Sequence, residues 1–456
     1  MSTVATETLA EEAATEASTE VGSVFVSNYP PFSFWQQDGL SDYQQALQSA
    51  QVGASSSPLG LYLHIPFCRK RCKFCYFRVY IDKNAEQIQT YLDALAQEVE
   101  LYSRQPAVQN RPLKFVYFGG GTPSYIAVKH LEKLIARIKA AMPWDSVEEV
   151  TFECEPGTLT RSKVAAYREI GVTRLSLGIE NWNDAILRDN GRAHLTHEID
   201  RCLPWIREQA FDQLNVDLIA GMVGETWDSW RDSVQKTIDI DPDSVTIYQM
   251  ELPYNTVYSQ GILAGGDSPV ADWQTKREWN LYAIEQLQDA GYELSSAYTM
   301  LKQRSRPANG DRGMARFAYR DSLWHGADML GTGVASFGHV AGVHAQNVSS
   351  WNDYLAQVGE GRLPLGRAFR TTAGERLTRE LILQMKLGRL DLGYFRRKFD
   401  VDPLAHWAEA FHRLAERQML EIEGTNEVVL TTQGLLQVDS LLTEFYDPKY
   451  RNARYT

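Results

Sequence analysis

The sequence contains no apolar run of about 18 residues, the length a membrane-spanning helix requires. It also lacks a basic start followed by an apolar stretch. MSTVATETLAEEAATEASTE is rich in Ala, Glu, Thr and Ser, which excludes a secretory signal and fits a disordered tail. Positive charge is scarce: 46 Lys and Arg against 58 Asp and Glu leave a net charge of −12, which argues against bulk electrostatic binding of nucleic acid. Five cysteines are too few and too unevenly placed for a secreted disulfide framework. The expectation is a cytoplasmic globular protein. At 456 residues it is long enough for two or three domains and a sizeable core.

Three of the five cysteines sit together in HIPFCRKRCKFCYF, where Cys68, Cys72 and Cys75 form a C-x3-C-x2-C pattern. Clustered thiols in a reducing compartment bind metal or do redox chemistry more often than they pack. A structural zinc site takes four ligands, commonly as separate cysteine pairs, and here one triplet stands alone. His64 is a candidate fourth ligand, but it falls inside an apolar run and would have to turn back on it. A [4Fe–4S] cluster held by three thiolates keeps one iron open, and an open coordination position is where chemistry happens. Arg69, Lys70, Arg71, Lys73 and Arg78 make the loop basic, which predicts lowered thiol pKa values and charge compensation for a cluster. Cys154 and Cys202 read as buried thiols.

Short β-rich runs alternate with longer helical segments from about residue 58, the order a parallel α/β domain requires. The strand candidates are 61–65, 113–118, 149–154, 173–179, 213–220 and 244–250. Between them, Ile88, Tyr91, Leu92, Leu95, Val99 and Tyr102 recur at helical spacing, as do Leu131, Leu134, Ile135 and Ile138. Six βα units predict a partial (βα)6 barrel. Each strand leads into a polar or glycine-rich segment: the cysteine loop, GGGTP (119–123), Glu153-Cys154-Glu155, Glu180-Asn181, Asp217 and Gln249-Met250-Glu251. In βα barrels the active site lies at such strand ends. The predicted organisation is a disordered tail over 1–22, an aromatic arm over 23–57 and the barrel over 58–300. A Gly-rich segment over 301–370 lies over or beside the barrel, and a C-terminal α+β winged-helix-like domain spans 371–456. Thr372 and Glu375 form a capping box at the start of the last unit. The mixed local charge of that unit disfavours nucleic acid as its partner.

The cysteine triplet followed by an aromatic residue, with GGGTP at the end of the next strand, resembles the radical S-adenosylmethionine (SAM) superfamily. LYLHIPFC, FGGGTPS, ECEPGT, RLSLGIENWN and NVDLIAGM are similar to its oxygen-independent coproporphyrinogen III oxidase-like branch, over about residues 58–446. That branch includes haem chaperones, anaerobic haem-degrading enzymes, methyltransferases and cyclopropanases. The resemblance implies a [4Fe–4S] cluster on Cys68, Cys72 and Cys75, with the open iron chelated by SAM. One-electron reduction of SAM then yields methionine and a 5′-deoxyadenosyl radical. It further implies that Gly120, Gly121 and Thr122 meet the SAM amino group, Tyr62 contacts SAM, Glu153 binds ribose hydroxyls and Arg192 binds the SAM carboxylate. Phe74 (through its backbone), Asp217 and Met250 match positions around a second SAM, and Glu180 is carried as a further cofactor-binding candidate. From pattern alone, GGGTP could be a tight turn, Tyr62 a half-buried strand residue, Glu155 a surface acid and Arg192 a helix-surface cation. An external one-electron donor such as flavodoxin or ferredoxin is the implied partner.

Three departures from the family pattern stand out. Glu180 occupies a position where the oxidase has glutamine. Tyr76-Phe77 follow Cys75 where the oxidase has a Cys-Gly-Cys segment. Residues Tyr319 to Trp324 lack the histidine of the chaperones' His-Asn-x-x-Tyr-Trp motif, and His339 and His344 nearby read as structural. Together with the retained second-SAM positions, these departures favour methylation or cyclopropanation of an unsaturated small molecule. Porphyrinogen decarboxylation, with Arg304, Arg306 and Arg312 gripping carboxylates, and haem transfer are the alternatives.

Overall fold

Six parallel strands, each an apolar run bounded by turn residues, form the centre of the molecule in the order β1 to β6. They are β1 (Leu59–Ile65), β2 (Leu113–Gly120), β3 (Glu149–Cys154), β4 (Arg174–Glu180), β5 (Gln213–Ala220) and β6 (Ser244–Gln249). The computed structural model describes residues 19–23, 25–49, 57–142, 144, 146–266, 270–302, 316–451 and 453. The helix Ala85–Ser103 starts at a capping box between Asn84 and Gln87 and buries all six residues of its predicted stripe. Val128–Ala141 does the same with Leu131, Leu134, Ile135 and Ile138. Both helices return the chain to the start of the next parallel strand, as the crossover geometry demands.

The sheet stays open. Beyond β6 lie β8 (Thr299–Lys302) and β7 (Tyr292–Leu294), both antiparallel. On the other side β9 (Asp328–Thr332) pairs parallel with β1, followed by antiparallel β10 (Phe337–Val340), β11 (Val343–Asn347) and β12 (Leu365–Arg370). The described residues 316–370 thus add β9 to β12 to the sheet beside β1, and with β7 and β8 at the other edge the sheet reaches twelve strands. The boundary placed at residue 300 falls within β8.

The C-terminal unit has its own apolar core around Leu381, Leu392, Phe395, Leu414 and Leu442. Its helices include Ala373–Met385, Leu392–Phe399 and Ala408–Glu416. Its three strands, β13 (Arg389–Asp391), β14 (Leu420–Glu423) and β15 (Glu427–Leu430), pair antiparallel in the order β13-β15-β14. The Thr372–Glu375 capping box is present, with the Glu375 N–H donating to Thr372 Oγ1 at 3.2 Å and the Thr372 N–H to Glu375 Oε2 at 2.8 Å.

The aromatic arm binds these parts together. Trp35 is buried and stacks on His344 with ring centroids 4.8 Å apart. Tyr29 packs on Tyr446 and Tyr450 of the C-terminal unit. Farther back, the Gly22 N–H donates to the Leu252 carbonyl at 2.8 Å. Thr19 is buried and its hydroxyl accepts from Lys276 Nζ at 2.6 Å. Residues 1–18 of the predicted tail lie outside the described residues, while Thr19 to Gly22, also assigned to that tail, are packed on the barrel. Among the described residues, no helix is long and apolar enough to cross a membrane.

Candidate active site

Strand alternation sends Glu153, Ser176, Asn215 and Asp217 to the inner side of the barrel, where they bond one another or their neighbours. Asp217 accepts from Ser176 Oγ at 2.8 Å and from Asn215 Nδ2 at 2.9 Å. Asn215 in turn accepts from Ser244 at 2.7 Å and Thr246 at 3.0 Å. Glu153 Oε1 accepts from Tyr117 Oη at 2.8 Å and its Oε2 from the Gly120 N–H at 3.1 Å. Burial pushes Glu153 up to about 7, and it also raises Asp217. Below them Arg174 is 2% exposed, stacked 4.0 Å over the Phe317 ring, with Nε and Nη1 unbonded.

The cysteine loop leaves the end of β1 and is closed at its base. The Cys68 N–H donates to the Tyr80 carbonyl at 3.1 Å and the Tyr80 N–H to the Pro66 carbonyl at 2.7 Å. The Lys73 N–H reaches the Asn190 carbonyl, and the Lys73 carbonyl accepts from Val257, so the loop is tied to the segments after β4 and β6. All three cysteines are half-buried. Thr122 Oγ1 donates to Cys68 Sγ at 3.3 Å, and Arg192 Nη1 to Cys72 Sγ at 3.4 Å.

The basic loop does not lower Cys68 or Cys75. Burial pushes Cys68 up to about 11 despite the Thr122 bond, and Cys75 up to about 12. The cations are engaged elsewhere or face water: Arg69 donates to Glu155 at 3.0 Å and to the Ala193 carbonyl at 2.7 Å. Arg71 bonds the Cys75 and Asn255 carbonyls, both at 3.3 Å. His64 is no fourth ligand. Its Nδ1 lies 3.4 Å from Tyr62 Oη and its Nε2 3.3 Å from the Arg78 carbonyl. Among the described residues, no group of three His, Cys, Asp or Glu side chains converges tightly enough for one metal ion. Three thiolates on one loop suit a [4Fe–4S] cluster with one open iron better than a closed four-ligand zinc site.

GGGTP runs against the base of that loop. The Gly121 N–H donates to the Ile65 carbonyl at 2.9 Å and the Thr122 N–H to the Phe67 carbonyl at 2.8 Å. Gly120 has φ +111, and a Cβ there would lie 2.4 Å from the His64 ring, so only glycine fits. The glycines therefore serve the close approach of β2 to β1 as well as exposing backbone to the mouth.

Arg192 is no surface cation. Its side chain is only 11% exposed, donates to the Gly178 carbonyl at 2.7 Å and lies 3.5 Å from Glu180. Glu180 sits at a register shift in β4 with φ +66, an uncommon conformation for a non-glycine residue. Burial pushes its carboxyl up to about 7 although Arg192 pulls the other way. Met250 belongs to a small apolar cluster with Ile186, Met222 and Leu252, against which Phe74 packs. Tyr62 stacks on Tyr117 with centroids 5.8 Å apart. Direct contacts thus link Cys68 with Thr122, Cys72 with Arg192, Arg192 with Glu180, Glu153 with Gly120, and Phe74 with the cluster of Met250. Glu155 lies deeper than a surface acid: against the cost of burial, His194, Arg192 and Arg69 hold it down to about 2. His194, Tyr117, Arg174 and Lys276 were not singled out from sequence. Tyr117 alone carried a signal, standing two residues before Gly119 on the inward face of β2. Arg304, Arg306 and Arg312 lie outside the described residues.

The family description that matches residues 62–237 is the radical SAM superfamily. The chain is 26% identical over 408 residues to the oxygen-independent coproporphyrinogen III oxidase of Synechocystis sp., covering 87% of this chain and 85% of that protein. It is 26% identical over 403 residues to the enzyme of the same name from Escherichia coli, covering 87% of each. To the heme chaperone HemW of Bacillus subtilis it is 24% identical over 381 residues, 82% of this chain and 96% of the chaperone. Among solved structures, coproporphyrinogen III oxidase (HemN) from Escherichia coli shares the fold with a TM-score of 0.77 at 24% identity, over 92% of this chain and 96% of that one.

Proposed function

Starting from a radical SAM enzyme whose characteristic domain spans residues 62–237, we propose that this chain oxidatively decarboxylates propionate side chains of a porphyrinogen-like tetrapyrrole. The observation that carries this reading is the rim of the mouth. Tyr76 and Phe77 stack at 4.5 Å and are 39% and 43% exposed, and Tyr248 at the end of β6 is 41% exposed. An exposed aromatic rim above a polar interior fits a flat apolar ring carrying carboxylate arms. Arg71, Lys73 and Arg78 are exposed on the same loop and suit those carboxylates. The named activity of the oxidase relatives supports the same reading. It displaces the methyl-transfer reading favoured by sequence, for which these relatives provide no support.

Cys68, Cys72 and Cys75 would hold the [4Fe–4S] cluster, with Arg192 and Thr122 offsetting thiolate charge. When bound, cluster and SAM supply the hydrogen-abstracting 5′-deoxyadenosyl radical. Gly120, Gly121 and Thr122 would receive the SAM amino group, Arg192 its carboxylate and Glu153 its ribose hydroxyls, with Tyr62 alongside. Glu180 and Asp217 would balance sulfonium charge. The solvent-facing basic residues of the cysteine loop suit an acidic one-electron donor such as flavodoxin or ferredoxin.

A second reading, methyl or methylene transfer, rests on the shared apolar cluster of Phe74 and Met250, with Asp217 on the adjoining strand, as the place for a second SAM. The deciding experiment is anaerobic reconstitution with methyl-deuterated SAM and coproporphyrinogen III, read by mass spectrometry. A product that has lost carbon dioxide and two hydrogens supports the proposal. Deuterium in 5′-deoxyadenosine with an unchanged porphyrinogen would shift it to the second reading. Stoichiometric haem binding without SAM cleavage would overturn both in favour of haem transfer.

A further inference from the structure

At the end of the sheet opposite the cysteine loop, Ser57 just before β1, together with β9 and β10, meets the helices Ala373–Met385 and Leu392–Phe399 around a cavity of about 330 Å3. That volume is at the lower end for metabolite sites. Its lining is charged: Asp328, His339, Arg376, Arg379, Glu380 and Lys398.

Four of the charges around it are already matched. Lys398 Nζ lies 2.8 and 2.9 Å from the Glu380 oxygens. Asp328 accepts from Arg111 at 2.9 Å and from the Ala341 N–H at 2.9 Å. Two cations are left over. Arg376 Nη1 donates to the Thr371 carbonyl at 3.0 Å. Arg379 Nε donates to Asn28 Oδ1 at 2.9 Å, and its Nη1 to the Leu323 carbonyl at 3.4 Å. All three acceptors are neutral, and among the described residues neither arginine is within ion-pair distance of a carboxylate. Arg379 is only 5% exposed; Glu380 and Asp328 attract it from beyond contact distance, and a buried cation without a direct ion pair is costly.

A second deficit lies beside them. His339 is 7% exposed and neither ring nitrogen is hydrogen-bonded. Its closest carboxylate, Asp328 Oδ1, is 3.8 Å from Nδ1. Burial, helped by His344, Arg379, Arg376 and Lys398, drives its pKa well below the usual histidine range, so it is neutral and carries one unused N–H. An unmade bond at a buried donor costs about 1–3 kcal/mol. Gly342, with φ +77, keeps the wall thin: a Cβ there would lie 2.9 Å from Arg376 Nη1.

One ligand chemistry cures both deficits. We propose that this cavity binds a small oxyanion, a phosphate or carboxylate group of a metabolite, held by the Arg376 and Arg379 guanidinium groups with a ring N–H of His339 as a further donor. Guanidinium forks suit such groups better than ammonium ions do. The site is separate from the mouth and does not depend on the reaction proposed there.

The test is calorimetric titration of the full chain with inorganic phosphate, pyrophosphate and citrate at constant ionic strength, with melting temperature as a second readout. Saturable 1:1 binding with a raised melting temperature is expected. Preference for pyrophosphate over citrate identifies a phosphate ligand, and the reverse a carboxylate. Arg376→Gln should weaken binding at least tenfold while leaving SAM cleavage unchanged. Arg376→Lys, which keeps the charge and loses the fork, should retain part of the affinity. His339→Gln should weaken binding severalfold. Absence of saturable binding with all three anions would overturn the proposal. So would unchanged affinity in both Arg376 variants.

Discussion

Along β4, Leu175, Leu177 and Ile179 join the main apolar core, whereas Arg174, Ser176 and Gly178 line the barrel interior. The same division runs through β3, where Val150 and Phe152 oppose Thr151 and Glu153, and through β5, where Val216 and Leu218 oppose Asn215 and Asp217. Strands of a parallel sheet buried on both faces are ordinarily near-continuous apolar runs. Here the outward face follows that rule and the inward face breaks it. The outward face supplies burial energy, and the inward face holds carboxylates that burial drives toward neutrality. Stability and chemistry are thus divided between alternate residues of the same strands.

The comparison is tested most severely at the cysteine loop, which adds chemistry and little core. Cys72→Ala should lower SAM cleavage by more than about 10³-fold, because it removes one of three thiolates and the partner of Arg192. The melting temperature of the cluster-free chain should move by no more than a few degrees, since Cys72 is partly exposed. Iron content, 5′-deoxyadenosine yield and thermal unfolding read the three quantities. A collapse of the cluster-free fold would show that the loop is structural and erase the division.

Next comes a pair of adjacent residues. Leu177→Ala should cost about 3 kcal/mol in stability, as expected for a fully buried leucine. Ser176→Ala removes one donor to Asp217 and should cost about 1 kcal/mol while weakening SAM binding more than Leu177→Ala does. Denaturant unfolding and SAM titration on both variants check this. Equal stability losses would mean the inner network carries the fold as much as the apolar face does.

The outward face was the legible half. β1 to β6 stand where their apolar runs predict them, because burial against helices imposes one chemistry on every other residue. The helix stripes and the Thr372–Glu375 cap were legible for the same reason, since their signals are local. Much less could be read where partners are distant in sequence. β9 is five residues long and contains glycine, and its pairing with β1 joins positions about 270 residues apart, so no periodicity announces it. Arg192 and Lys276 look like solvent-facing cations in their own segments; only the folded chain puts one on Cys72 and the other on Thr19. Motifs named residues that the fold links by direct contacts, Cys68 to Thr122, Cys72 to Arg192 and Glu153 to Gly120, while the support His194 needed the structure.

Glu153 offers a pH test of the inward face. Without SAM its carboxyl is raised from 4.5 to about 7, with burial as the leading cause. A raised carboxyl pKa stabilises the fold fully below pH 4.5, and that contribution is lost as pH climbs through about 7. The difference corresponds to something on the order of 3 kcal/mol. Glu153→Gln stays neutral, so it should be more stable than the parent at pH 8 by roughly 2 kcal/mol after the altered contact with the Gly120 N–H is deducted. At pH 4.5 the gain should vanish, and SAM affinity should fall about tenfold with the loss of a charged acceptor. Equal destabilisation at both pH values would show that Glu153 is an ordinary structural acid.

The smallest effect is expected where the arm meets the mouth. Phe25 packs on Tyr298 at 4.8 Å and lies 6.3 Å from Tyr248, with Lys386 Nζ 3.7 Å from its ring centroid. Deleting the whole arm is a poor probe, because Trp35 and Tyr29 are each 1% exposed and would leave cavities in two cores. Phe25→Ala removes one ring while leaving the Gly22–Leu252, Thr19–Lys276 and Val26–Asp439 bonds in place. Stability should fall by about 1 kcal/mol. If the arm forms part of the substrate wall, KM for the proposed porphyrinogen substrate should rise severalfold while SAM cleavage without substrate stays constant. An unchanged KM with the same stability loss would make Phe25 a fastener of the C-terminal unit, which moves the arm from the inward, chemical side of the comparison to the outward, structural one.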